Sequence, residues 1–328
     1  MYDGTGLGTF PFASPFTPMD AGTAYEVLDA YFGAGGIYVD TAPTYAFGRV
    51  EELLGTYLAS KPREAFAIST SCGYVRDGDS FRISGKPDDV RRDAYESLER
   101  LKLDYLDVYI SHIPDVDTPY EQTAEALQAL KEEGIARVIG VSNVSANQLR
   151  RYASAAEIGI VQNRISYLNR SLDAGLISAL ESSGARLVGY QVLERGLLTT
   201  AGNRSLRDGD LRNRKPEFQA ERRSWVRRLV GGPLMDVARR NGVTVEQLVV
   251  RWVLAQNNVA LAQMGATNAT QAESIPTYRG QLSPGLYAEI EEIYRAAEEQ
   301  LMAEGHRSVQ AFLGLDTYDV RSGSASGS

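Results

Sequence analysis

The chain has 328 residues, 43% hydrophobic and 23% charged, which is ample apolar material for a large buried core. Forty-two acidic residues against 34 basic ones leave a net charge of −8, which argues against a nucleic-acid surface as the main business of the fold. One cysteine, Cys72, excludes an internal disulfide or a multi-cysteine metal site, and with only His112 and His306 available no metal is expected. The N-terminus from Met1 to Phe16 lacks a basic stretch followed by an apolar one, and no apolar run approaches the ~20 residues that cross a bilayer. The expected compartment is the cytoplasm, with no nucleic-acid or membrane partner; oligomeric state stays open.

An opening segment at Gly6–Phe10 leads into a helix near Ala21–Gly33. Ile37–Asp40 reads as a strand followed by a helix near Val50–Ser60, and Ala65–Thr70 as one followed by a helix near Pro87–Leu101. In that helix Val90, Ala94, Leu98 and Leu101 recur at helical spacing, leaving Arg91, Arg92, Glu96 and Glu99 to water. Leu106–Ser111 precedes a helix near Pro119–Glu133, whose start reads as a capping box, Thr118-Pro119-Tyr120-Glu121, with Gly134 as its stop. Ala136–Val141 precedes Ser145–Ala155, and Ile158–Gln162 precedes Ala174–Ser183. Ala185–Tyr190 leads into a long irregular region and one helix near Glu221–Asn241; Thr244-Val245-Glu246-Gln247 is a second capping box, opening Val245–Gln256. Val259–Met264 and a helix near Pro284–Glu304 complete the pattern.

Seven strand–helix units and the opening segment imply a parallel α/β sheet. No glycine-rich turn follows a first strand, as an open doubly wound sheet would require, because almost no chain precedes Gly4-Thr5-Gly6-Leu7-Gly8. The pattern predicts a single-domain (β/α)8 TIM barrel over residues 1–315, followed by a flexible Gly/Ser-rich tail over 316–328. Catalytic groups are then expected at strand ends. Asp40 and Tyr45 follow one apolar run and His112 follows another. A lone Asp-x-x-x-x-Tyr, or a lone histidine after a strand, has ordinary structural explanations; their joint occurrence is far more specific. If Ser71 points into the barrel, strand alternation turns Cys72 outward, toward the helices.

In these motifs the sequence resembles the aldo-keto reductases, in the branch of bacterial general-stress reductases and potassium-channel β subunits. Residues 36–55 resemble the family's Asp/Tyr segment, and Asp104 to His112 its histidine strand. Gly140-Val141-Ser142-Asn143 and Val161-Gln162-Asn163 resemble its nicotinamide-binding strand ends, and Gly196-Leu197-Leu198-Thr199 and Gly265-Ala266-Thr267 complete a run over roughly residues 6–300. The resemblance implies an oxidoreductase that transfers a hydride between NADP(H), in preference to NAD(H), and a small carbonyl or alcohol substrate. It gives Tyr45 the role of proton donor, His112 that of orienting the carbonyl, and Asp40 that of supporting the acid network. Ser142, Asn143 and Gln162 would bind the nicotinamide carboxamide and Tyr190 would stack beneath the ring, with Gly265, Asn268 and Gln271 at the adenosine end.

The chain departs from the family pattern in three places. The family's Ser-Thr-Lys strand end reads Ser69-Thr70-Ser71, so the lysine that pairs with the aspartate and acidifies the tyrosine is missing and the proton-transfer network is atypical. Glu194 stands where a small residue is usual, and Asn268 where a basic residue recognises the 2′-phosphate. Arg204, Arg207, Arg212, Arg214 and Lys215 fall in the loop that covers the pyrophosphate in relatives, and Phe10, Phe12, Phe16, Phe47 and Tyr74 are candidates for an apolar pocket. Two further functions stay open at this point. One is a dehydration, elimination or epimerisation with Tyr45 and His112 as acid and base. The other is a nucleotide-binding regulatory subunit with little turnover.

Overall fold

The computed structural model describes residues 3–13, 19–170, 172–203, 206 and 210–315; Phe16, Arg204, Arg207 and the tail lie outside them. Eight parallel strands close a barrel: β1 (Gly4–Gly8), β2 (Tyr38–Asp40), β3 (Ala67–Cys72), β6 (Leu106–Ser111), β7 (Ala136–Ser142), β8 (Ile160–Arg164), β9 (Arg186–Tyr190) and β10 (Val259–Gly265). Their order around the barrel is β1-β10-β9-β8-β7-β6-β3-β2. A two-stranded hairpin, β4 (Tyr74–Asp77) with β5 (Ser80–Ile83), follows β3. Helices α1 (Ala21–Gly33), α2 (Arg49–Leu58), α3 (Pro87–Leu101), α4 (Tyr120–Glu132), α5 (Ala146–Ala153) and α6 (Ala174–Ser183) connect the strands as the apolar spacing predicts. No helix among the described residues is long and apolar enough to cross a membrane.

The chain divides into two compact units. The first comprises Met1–Asn163, Leu172–Val188 and Asn257–Pro276 and holds nearly all of the barrel strands. Within it the strands bury a layer of inward side chains, among them Tyr38, Ala67, Val108, Ile110, Ile160, Val188 and Leu261. Alternation then dictates what stands two residues further along each strand. Asp40 follows Tyr38, Ser69 and then Ser71 follow Ala67, His112 follows Ile110, Gln162 follows Ile160 and Gln263 follows Leu261. The apolar core is thereby capped by a polar layer at the ends of the strands. Outward residues obey the same rule: Thr70 donates to the buried Glu51 at 2.7 Å, and Cys72 is buried with its thiol toward the Ile110 carbonyl at 3.7 Å. Burial pushes that thiol well above its usual range, so Cys72 packs as a small apolar group and not as a nucleophile.

The second unit comprises Arg164–Ser171, Gly189–Gln256 and Thr277–Ser328. Here the single helix expected over Glu221–Asn241 is broken. α7 (Ala220–Leu229) meets α8 (Met235–Arg240) through a π-turn at Val230–Leu234 that contains Gly231, Gly232 and Pro233, because proline lacks the amide that would continue the ladder. The capping box at Thr244 forms and opens α9 (Val245–Leu254); α11 (Pro284–Ala303) and α12 (Val309–Leu313) follow. In the first unit the box expected at Thr118 does not form. Thr118 donates instead to the buried Asp115 at 2.7 Å, and Pro119 takes the N-cap position with no side-chain cap. The hydroxyl hydrogen is drawn to the carboxylate, and the helix is capped one residue later, at Pro119.

Candidate active site

Asp40 is the last residue of β2 and is 5% exposed. Its Oδ2 accepts from Gln263 Nε2 at 2.5 Å and its Oδ1 from Gln162 Nε2 at 3.1 Å, while Gln162 Nε2 also donates to Gln263 Oε1 at 2.7 Å. Three side chains from β2, β8 and β10 thus close a triangle inside the barrel. Among the described residues no lysine or arginine pairs with Asp40. Burial therefore raises its carboxyl to about 6, against the opposing pull of the Ser69, Gln263 and Gln162 side chains. Gln263 is 7% exposed and is a site residue that the motif reading missed; Gly8 accommodates it, since a Cβ there would lie 2.9 Å from Gln263 Nε2.

Ser71 and His112 meet: Ser71 Oγ lies 2.9 Å from His112 Nδ1. The histidine is fixed from several sides, its amide donating to Cys72 O at 2.9 Å and its carbonyl accepting from Asn143 Nδ2 at 2.8 Å. Tyr74 of the hairpin packs edge-on against the imidazole at 5.2 Å. Gly73, at φ +104°, makes the turn that sends the chain from β3 into the hairpin. Burial pushes the His112 pKa down to about 4, so the ring is neutral at physiological pH.

Tyr45 is half-buried and touches Phe10, whose ring meets it edge-on at 5.4 Å. The two residues after it, Ala46 and Phe47, hold left-handed backbone at φ 50° and 57° before Gly48 opens α2. Each costs about 1–2 kcal/mol in a non-glycine residue, and such strain concentrates at functional sites. Phe47 stacks on Phe81 of the hairpin at 5.0 Å, and Tyr74 lies beside Phe81 at 6.4 Å. Phe10 and Phe47 remain 56% and 46% exposed. Of the other pocket candidates, Phe12 is core.

Ser142 ends β7 and donates to Gln162 O at 2.7 Å. Asn143 adopts φ 61°, which asparagine tolerates, and gives its side-chain amide to His112 O and to Ser142 Oγ at 3.0 Å. These neutral amides and hydroxyls suit an uncharged carboxamide. Gly265 ends β10; a Cβ there would strike the Pro11 ring at 2.6 Å. Asn268 caps α10 (Ala269–Ser274) by accepting from Gln271 N at 3.0 Å, and Gln271 Oε1 accepts from Thr267 N at 2.9 Å. Both side-chain carbonyl oxygens are used inside the turn.

Tyr190 ends β9 and falls in the second unit. In that unit Glu194, fully buried, is paired with Arg164 and accepts from Ser166, which explains why a carboxylate is tolerated there. Arg212 pairs with Asp210 at 2.7 Å and donates to Arg195 O at 3.2 Å, whereas Arg214 and Lys215 are exposed.

Comparison with known proteins bears on this geometry. The model of the aldo/keto reductase family matches residues 5–295. An NADH-specific methylglyoxal reductase of Escherichia coli is 33% identical over 71% of this chain and 75% of its own length. The aldo-keto reductase YhdN of Bacillus subtilis is 30% identical over 84% of each. Among solved structures, a glycerol dehydrogenase of Gluconobacter oxydans superposes with a TM-score of 0.81 at 27% identity, covering 89% of this chain and 91% of that one. With a closed parallel barrel and a polar rim at its strand ends, the chain belongs to the aldo/keto reductase family and is an oxidoreductase of that type.

Proposed function

We propose that the chain reduces aldehydes or ketones, or oxidises the corresponding alcohols, with a nicotinamide dinucleotide and an acid network that lacks a lysine. The observation that most supports this reading is the meeting of Asp40, Ser71, His112, Ser142, Asn143 and Gln162 around one end of the barrel. When bound, the nicotinamide supplies or accepts the hydride. Ser142, Asn143 and Gln162 would hold its carboxamide.

The protein's own part is the proton side. With His112 neutral, a Ser71 hydroxyl that donates to Nδ1 selects the tautomer protonated at Nε2. That Nε2–H donates to the carbonyl oxygen, and the Tyr45 phenol delivers the proton to it as the alcohol forms. Asp40, ionised above pH about 6, holds the amides around it in place.

For the cofactor we assign NAD(H) at least equal standing with NADP(H). The turn from Gly265 to Ser274 contains no lysine or arginine to meet a 2′-phosphate. A relative that is NADH-specific by name accords with this. For the substrate we assign carbonyl compounds with an aryl or comparable apolar substituent, since Phe10, Phe47, Tyr74 and Phe81 frame Tyr45 and His112. The test follows NADH and NADPH absorbance with benzaldehyde and with glyceraldehyde. Benzaldehyde should be favoured about 10-fold or more in kcat/KM, the scale of one apolar contact in a pocket. The reverse order would overturn the substrate class, and no turnover of any carbonyl by a protein that binds dinucleotide would overturn the redox reading.

A further inference from the structure

The triangle of Asp40, Gln162 and Gln263 has a consequence for Gln162 in particular. A glutamine amide has two N–H hydrogens and one carbonyl oxygen. Gln162 spends both hydrogens inside the barrel, one on Asp40 Oδ1 at 3.1 Å and one on Gln263 Oε1 at 2.7 Å. Gln263 in turn spends its own N–H on Asp40 Oδ2 at 2.5 Å, so its amide cannot reverse without setting donor against donor at Gln162. Asp40, as an acceptor only, fixes the sense of the whole ring of bonds. The one polar function that Gln162 retains for a ligand is its carbonyl oxygen, Oε1.

We propose that Gln263 is a positioning residue: together with Asp40 it locks the Gln162 amide so that Oε1 is presented as an acceptor for the N–H of the nicotinamide carboxamide. This rests on the cofactor reading above. It predicts selectivity for a dinucleotide that carries an N–H at that position. It also accounts for a glutamine in an otherwise apolar strand, and for the glycine at position 8 beside it.

The experiment measures dissociation constants by fluorescence titration, with no turnover, for NAD+ and for its 3-acetylpyridine analogue. The acetyl group of the analogue keeps the carbonyl and lacks the N–H. The wild-type protein should prefer NAD+ by about 3- to 10-fold, the yield of one hydrogen bond. Gln263→Met keeps the bulk and removes the lock, so the preference should fall to about twofold or less, mainly through weaker NAD+ binding. Gln263→Glu gives an independent readout. At low pH the introduced carboxyl shares a proton with Asp40 and still accepts from Gln162, so the preference persists. With that proton lost at higher pH both carboxylates still accept from Gln162, so Gln263→Glu should keep the preference that Gln263→Met loses. A wild-type ratio in Gln263→Met, or loss of the preference in Gln263→Glu, overturns the assignment. Failure of the wild type to bind either dinucleotide overturns the cofactor reading and this inference with it, whereas tight binding of both with equal constants overturns this inference alone.

Discussion

Two buried aspartates sit on strands of the same barrel and are neutralised in opposite ways. Asp107, near the start of β6, is paired with Arg63 at 2.5 Å and Arg137 at 3.6 Å and accepts from the Ile68 amide at 2.9 Å. Both guanidinium groups also lie over the Tyr105 ring, at 3.9 and 3.8 Å. Asp40, at the end of β2, has two glutamine amides and, among the described residues, no cation. A carboxylate that serves only the fold can be tied to permanent charges. One held by neutral dipoles keeps its proton affinity near neutral pH, where it responds to whatever enters the site. The contrast separates the end of the barrel that holds the structure from the end to which we assign the chemistry.

The largest effect expected is at that second end. Tyr45→Phe should lower carbonyl reduction by about 10²- to 10⁴-fold, the range of a lost general acid, and leave dinucleotide binding unchanged. Steady-state rates and a binding titration on the same preparation check both halves. A variant that retains wild-type turnover would move the proton donor elsewhere.

Stability should show the reverse ranking. Asp107→Asn leaves Arg63 short of its partner and should cost about 2–3 kcal/mol in denaturant unfolding. Asp40→Asn removes a buried charge that has no cation and should change stability by less than about 1 kcal/mol while impairing activity. Equal losses at the two positions would erase the distinction. A smaller effect is expected for Ser71→Ala, which frees the His112 tautomer and should lower kcat about 3- to 10-fold with KM little changed.

The smallest effect is a pH dependence that nearly cancels. His112 has a folded pKa of about 4 against an ordinary 6.5, so the stability it contributes is present above pH 6.5 and is lost as pH falls toward 4. Asp40 has a folded pKa of about 6 against 3.8, so its contribution is fully present below 3.8 and is lost as pH rises through 6. Asp40→Asn should therefore lose stability more steeply than the wild type between pH 6 and 4, and His112→Gln less steeply. Denaturant midpoints across that window resolve the two signs.

Much of this was legible in the sequence because a barrel strand has a period of two and an end. Once Ile110 and Ile160 are placed inward, His112 and Gln162 follow, and the apolar runs locate the ends where Asp40, Ser71 and Ser142 lie. Gln263 stayed hidden inside the apolar stretch Val259–Met264; its inward parity, two residues beyond Leu261, was the available signal. The hairpin from Tyr74 to Ile83 was missed because it pairs only with itself, although Asp77-Gly78 marks its turn. The Thr118 cap failed for a tertiary reason, since the carboxylate that claims the hydroxyl is visible only in the fold.

In the proposed function, the rim of neutral amides and hydroxyls around Asp40 and His112 binds a nicotinamide dinucleotide without a lysine. Titration of the wild-type protein with NADH, followed by fluorescence and competed with NAD+, tests it most directly. A saturable signal is expected, with a dissociation constant below ~1 mM that is retained within about twofold in Tyr45→Phe. Absence of any saturable signal up to that concentration, in a protein shown to be folded, would contradict it.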